Sequence, residues 1–204
     1  MVIDRKKVKS ICAQIKNCGA CTGLDRSGAL YMDEKQTGLY YMYPVHVPID
    51  VMFIAESPPR PGSSFFYDEH TGMPVFRNKI FKLLNSAGLG PINSLREFTD
   101  KGFFLTDAIN CRWDKSKKKN LPVRVFRNCS VFLEKQIRLF KPRFIAAMGN
   151  KAKQALTFYN VETAVRELGI PDENIIKMAF PLRAVNESDE ERIKKLKHLR
   201  MLLG

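Results

Sequence analysis

The chain has 204 residues, 34 of them Lys or Arg against 21 Asp or Glu, for a formal charge of +13 with histidine neutral. Hydrophobic residues make up 45% and charged residues 27%, a globular composition that excludes disorder throughout. No run approaches the roughly 18 consecutive apolar residues of a membrane-spanning helix, and the opening MVIDRKKVKS lacks the apolar stretch of a secretory leader, so a cytoplasmic protein with no membrane partner is expected.

Residues 4–15 place Val8, Ile11, Cys12 and Ile15 at helical spacing, with Lys6, Lys7, Lys9 and Lys16 elsewhere, which predicts an amphipathic helix. A Gly-bearing loop, KNCGACTGL, follows. Two short Tyr-rich stretches, 29–32 and 38–43, then suggest an antiparallel hairpin. Residues 49–55 (IDVMFIA) form an almost unbroken apolar run, the pattern of a strand covered on both faces. The loop after it, ESPPRPGSSFFYDEHTGMP, leads to a helix at about 76–86, and long loops inside compact domains are usually functional.

Further strands are expected at 101–109, 144–148 and 174–179. Between 122 and 140, Val125, Cys129, Phe132, Leu133, Ile137 and Phe140 fall on one helical stripe, with Pro122 at a tolerated first-turn position. Helices are also read over 151–158 and 187–203. Strand and helix in alternation imply a three-layer α/β/α fold around a central, mainly parallel four-stranded sheet, within one domain spanning 1–204. Residues 1–48 supply its N-terminal helix, cysteine loop and hairpin. Ligands of such sheets bind in the crevice at the strand C-terminal ends, here bounded by the loops 56–74, 107–121, 149 onward and 180–185.

Five cysteines without an export signal argue against a disulfide framework. Cys18 and Cys21 have chelate spacing; Cys111 follows the second strand, and Cys129 lies on the inward stripe of the next helix. Four such thiolates suit zinc or an iron–sulfur cluster. The seventeen residues between Cys111 and Cys129 fit a cluster better than a zinc ribbon, which supplies two close pairs. Buried apolar thiols are the alternative, and Cys12 is read as core. The charge needs a partner too. Phosphate-rich polymers fit an excess of this size, because neutralising phosphates releases condensed counterions. Arg112, Lys115, Lys117, Lys118, Lys119, Arg124 and Arg127 face a single acid, Asp114, between two of the cysteines, and are read as a DNA-contacting loop.

In order along the chain, Cys18–Cys21, the Ala55-Glu56-Ser57-Pro58-Pro59 turn, Thr106-Asp107-Ala108-Ile109-Asn110-Cys111-Arg112, the basic loop to Cys129, and Met148-Gly149-Asn150-Lys151-Ala152 resemble the iron–sulfur branch of the uracil-DNA glycosylase superfamily, often called family 4. The resemblance implies a monomeric DNA-repair glycosylase that flips a damaged base out of the duplex and hydrolyses its N-glycosidic bond, with a structural 4Fe–4S cluster on Cys18, Cys21, Cys111 and Cys129; zinc is the alternative metal. Phe76 or Phe66 would stack on the base, and Glu56 would orient water or favour positive charge on the sugar.

Two positions depart from the family. Asp107 stands where the family has the asparagine that reads uracil; an ionised carboxylate only accepts hydrogen bonds, whereas a neutral one can imitate the amide. Asp107 can also accept from an exocyclic amine or act as a base toward water. The family's His-Pro-Ser loop reads Phe180-Pro181-Leu182 here, so no histidine steadies charge on the base, and Arg183 is expected to supply positive charge instead. The rival expectation is a nucleic-acid-binding module of the same fold that has lost catalysis.

Overall fold

The computed structural model describes residues 4–21, 47–59, 65–67, 74–111, 123–182 and 187–203. The hairpin expected at 29–32 and 38–43 lies outside the described residues. Four strands, β1 (Val51–Ala55), β2 (Phe103–Asp107), β3 (Phe144–Met148) and β4 (Ile175–Met178), form a sheet in the order β2-β1-β3-β4, with every pairing parallel. Every residue of β1, β2 and β3 is buried; β1 and β3 are the apolar runs of strands covered on both faces, and β2 ends in the buried polar pair Thr106 and Asp107. The edge strand β4 is different: Ile176 and Met178 are buried and Lys177 is exposed.

Helices α1 (Arg5–Lys16), α4 (Val123–Phe140) and α6 (Tyr159–Glu167) pack on one side; α2 (Val75–Ser86), α3 (Leu95–Asp100) and α7 (Asp189–Leu203) lie on the other. The short α5 (Asn150–Ala155) follows β3. Alternation within the strands sends aromatic rings to both layers: Phe104 meets Phe140 of α4 at 4.6 Å, and Phe53 meets Phe98 of α3 at 6.0 Å. Each such side chain taken out of water stabilises by about 1.5–3 kcal/mol. A buried polar link joins sheet and helix, Thr106 Oγ1 donating to Gln136 Oε1 at 2.7 Å. None of the described helices is long and apolar enough to cross a membrane.

Local chemistry sets the element ends. Asp4 caps α1 by accepting from the backbone N–H of Lys6 at 2.9 Å, and Val8, Ile11, Cys12 and Ile15 form its buried face. Ser94 and Glu97 form a reciprocal capping box that starts α3, a helix absent from the sequence reading. The helix read over 151–158 is shorter than expected: α5 stops at Ala155, Thr157 Oγ1 bonds back to Gln154 O, and Phe158 turns in to stack on Phe126 before α6, absent from the sequence reading, begins at Tyr159.

Candidate active site

The parallel register brings the strand ends to one edge of the sheet. Ala55 pairs with Asp107, Ile54 with Ala147, and Met148 with Met178, so Glu56, Asp107, Gly149 and Phe180 all leave the sheet there. Two bonds beyond the strands keep Glu56 beside Asp107: Ala108 N–H donates to Ala55 O at 2.9 Å, and Ile109 N–H to Glu56 O at 3.1 Å. Asp107 is buried, and burial, with a smaller push from the Glu56 charge, raises its carboxyl to about 7. Near neutral pH it therefore populates both an acid that donates and accepts and a carboxylate that only accepts.

An aromatic wall stands over one side of this crevice. Tyr67 hydroxyl donates to Leu105 O at 3.0 Å and accepts from Leu105 N–H at 2.7 Å, closing the outer edge of β2 and anchoring the loop that follows β1. Buried Arg77 donates to Phe66 O at 2.9 Å. Phe66 itself is 3% exposed and packs edge-on against Tyr67, Phe76, Phe81 and Phe98. Phe76 is half-buried, and its ring stacks on Phe180 with centroids 5.0 Å apart and planes 13° from parallel. Gly149, at φ 91°, makes room for that neighbour: a Cβ there would lie 3.3 Å from Phe180 Cβ.

The Phe180 segment is held from α7. Ala179 N–H donates to Glu187 Oε2 at 2.6 Å, and Arg192, 1% exposed, donates to Phe180 O at 3.4 Å while pairing with Asp189 at 2.9 Å. Lys195 pairs with Glu187 and Lys79 of α2 with Asp189, so both sides of the aromatic stack share one ion-pair network.

The four cysteines of the expected cluster come from three places, the loop after α1 (Cys18, Cys21), the end of β2 (Cys111) and the inward face of α4 (Cys129). Cys18 and Cys21 are half-buried against the core, and Cys111 and Cys129 are buried. Burial pushes the Cys129 thiol up to about 12, against a hydrogen bond from the Asn110 backbone; the thiols of Cys111, Cys21 and Cys18 add to the rise, so each of the three lies within electrostatic reach of Cys129. Asn128 Nδ2 donates to Ala20 O at 3.1 Å and to Cys21 Sγ at 3.2 Å, tying the N-terminal loop to α4. Among the described residues no three His, Cys, Asp or Glu side chains form a ready metal cage. The soft sulfur donors, with an amide donating to one of them, are nonetheless the chemistry a thiophilic centre uses. Cys12 is core, its thiol raised to about 11 by burial.

Arg112, Lys115, Lys117, Lys118, Lys119 and Arg183 lie outside the described residues. Sequence reasoning gave no role to Asn110, whose buried Oδ1 has no hydrogen-bond partner among the described residues, nor to Arg77, Asn128 and Glu187. Only proximity to Asp107 and Cys111 marked Asn110 in the sequence; nothing local marked the others, whose hydrogen bonds described above reach partners at least eight residues away.

The family model described as Uracil DNA glycosylase superfamily matches residues 32–203. That span holds Glu56, Asp107, Cys111, Cys129 and Phe180 and begins after Cys18 and Cys21. No curated protein matches the chain.

Proposed function

This chain belongs to the uracil-DNA glycosylase superfamily, and we propose that it excises a damaged or deaminated base from DNA by hydrolysing the N-glycosidic bond. The observation that carries the reading is the pair of carboxyls, Glu56 and Asp107, at adjacent strand ends under an aromatic wall. The two environments differ. Asp107 is buried and raised toward 7, which suits a group that reads the base as a neutral acid; Glu56, half-buried at the crevice, orients the attacking water or supports positive charge on the sugar. A neutral Asp107 accepts from a ring N–H and donates to a carbonyl oxygen, which matches lactam bases such as uracil, hypoxanthine or xanthine. Phe76 is the ring for base stacking, with buried Phe66 supporting it from the edge.

Cys18, Cys21, Cys111 and Cys129 would hold a 4Fe–4S cluster, with zinc as the alternative. The bound centre supplies a cross-link rather than hydrolytic chemistry: it would join the loop after α1 to β2 and α4. The basic residues Arg112, Lys115, Lys117, Lys118, Lys119 and Arg183 are assigned to DNA phosphates.

A second reading, a nucleic-acid-binding module without catalysis, is favoured by one contact. Phe180 stacks on Phe76 and so covers the face on which a base would lie. Oligonucleotide duplexes carrying a single uracil, hypoxanthine, xanthine or mismatched thymine, incubated with the protein and cleaved with alkali, separate the two. Strand scission at a lactam base supports the glycosylase; salt-sensitive binding with no scission on any duplex supports the module.

A further inference from the structure

We propose that Arg124, Arg127 and Lys151, where α4 and α5 begin beside the crevice, form the track on which the DNA strand lays its phosphates, with Tyr159 at the outer end. The inference rests on the glycosylase reading and adds the side of the crevice along which the substrate runs.

The two helix starts share one surface. Helix α5 opens at Asn150, directly after β3 and Gly149, and Lys151 Nζ lies 5.5 Å from the centre of the Phe126 ring in the first turns of α4. Phe126 stacks on Phe158 with centroids 6.1 Å apart and planes at 17°; Tyr159, the next residue, is 80% exposed. Ser130 Oγ stands within hydrogen-bonding distance of both Arg127 O, at 2.8 Å, and Asn160 Oδ1, at 3.0 Å, which seats the start of α6 against α4. Arg124 and Arg127 are exposed, and Lys151 projects over an aromatic face.

Charge is divided unequally across the crevice. The first turn of α4 holds no acidic residue, and α5, NKAKQA, holds none at all. The first carboxylate along α4, Glu134, is engaged by Arg138 and Asn160. Arg124, Arg127 and Lys151 therefore have no carboxylate partner among the described residues. On the opposite side Lys79 and Arg192 pair with Asp189 and Lys195 with Glu187, and α7 opens with Asp189, Glu190 and Glu191. A polyanion entering the crevice is drawn to the α4–α5 side and repelled from the start of α7.

The test is the salt dependence of binding to a fluorescein-labelled undamaged duplex, followed by fluorescence anisotropy over a sodium chloride series. Each lost phosphate contact lowers the slope of log K against log salt by about 0.9. The triple variant Arg124→Gln, Arg127→Gln, Lys151→Gln is expected to lower it by about 2 to 3, and Arg124→Gln and Arg127→Gln, at exposed positions where folding is not at stake, by about 0.9 each. A Lys194→Gln, Lys197→Gln variant on the exposed face of α7 leaves the slope unchanged. Wild-type binding with the same slope in the three-residue and single variants overturns the track and leaves the glycosylase reading standing. A wild-type protein that binds no duplex at any salt overturns both.

Discussion

A carboxylic acid and a carboxylate present opposite faces to a base, and Asp107 sits where both forms are accessible near neutral pH. Its proton is stabilised by burial first and by the Glu56 charge second, so folding raises the carboxyl from about 3.9 in the unfolded chain. The native state then holds more protons than the unfolded state between those values. This contribution to stability is complete below about pH 4 and is lost as pH rises through about 7. Urea unfolding midpoints should accordingly fall between pH 5 and pH 8 by an amount worth roughly a few kcal/mol, and Asp107→Asn should remove that part of the fall. Activity should follow the same group: excision of a lactam base by the wild type declines above about pH 7, whereas Asp107→Asn stays active and loses the decline. A rate that instead rises through this range would make ionised Asp107 a base toward water.

At the scale of elements, polar bonds tie α1 and the loop after it to α4. Asn128 reaches back to Ala20 and Cys21, and Lys135 of α4 donates to Gln14 of α1 at 2.5 Å. These are polar surface bonds, and a bound cluster would fasten the same elements far more firmly. Protein purified without oxygen is expected to be brown with broad visible absorbance. Cys111→Ser or Cys129→Ser should bleach it and lower the thermal midpoint, while Cys12→Ser, a core substitution, keeps the colour. A colourless protein carrying one equivalent of zinc would replace the cluster with the alternative metal.

The same elements show which patterns can be read in advance. The apolar runs of β1 and β3 were legible because a strand buried on both faces needs nothing but apolar residues, and the stripe on α4 because Val125, Cys129, Phe132 and Leu133 repeat at helical spacing. Helix α3 was missed although Ser94-x-x-Glu97 is a local signal. The early stop of α5 at Ala155 was missed, and Phe158 packs there on Phe126, thirty-two residues earlier in the chain. The site divides in the same way. Glu56 and Asp107 could be named because the family resemblance marks them, at strand ends where α/β sheets bind, but Phe180 on Phe76, Arg192 on Phe180 and Tyr67 on β2 are long-range pairings set by the assembled fold.

Across the whole molecule, a net charge of +13 surrounds a site whose two carboxyls share one strand edge. Ion pairs engage Lys79, Arg192 and Lys195 around the start of α7, whereas Arg124, Arg127 and Lys151 at the starts of α4 and α5 have no carboxylate partner among the described residues, and the parallel register delivers both carboxyls to one edge of the sheet. Binding and chemistry thus meet at one edge of the sheet. The most direct test is single-turnover release of the free base from duplex DNA by wild type and Glu56→Gln, with DNA affinity measured alongside. The account predicts release by the wild type and a loss of about 10²- to 10⁴-fold in the variant at unchanged affinity. Release at the same rate by both proteins, or by neither, would contradict it.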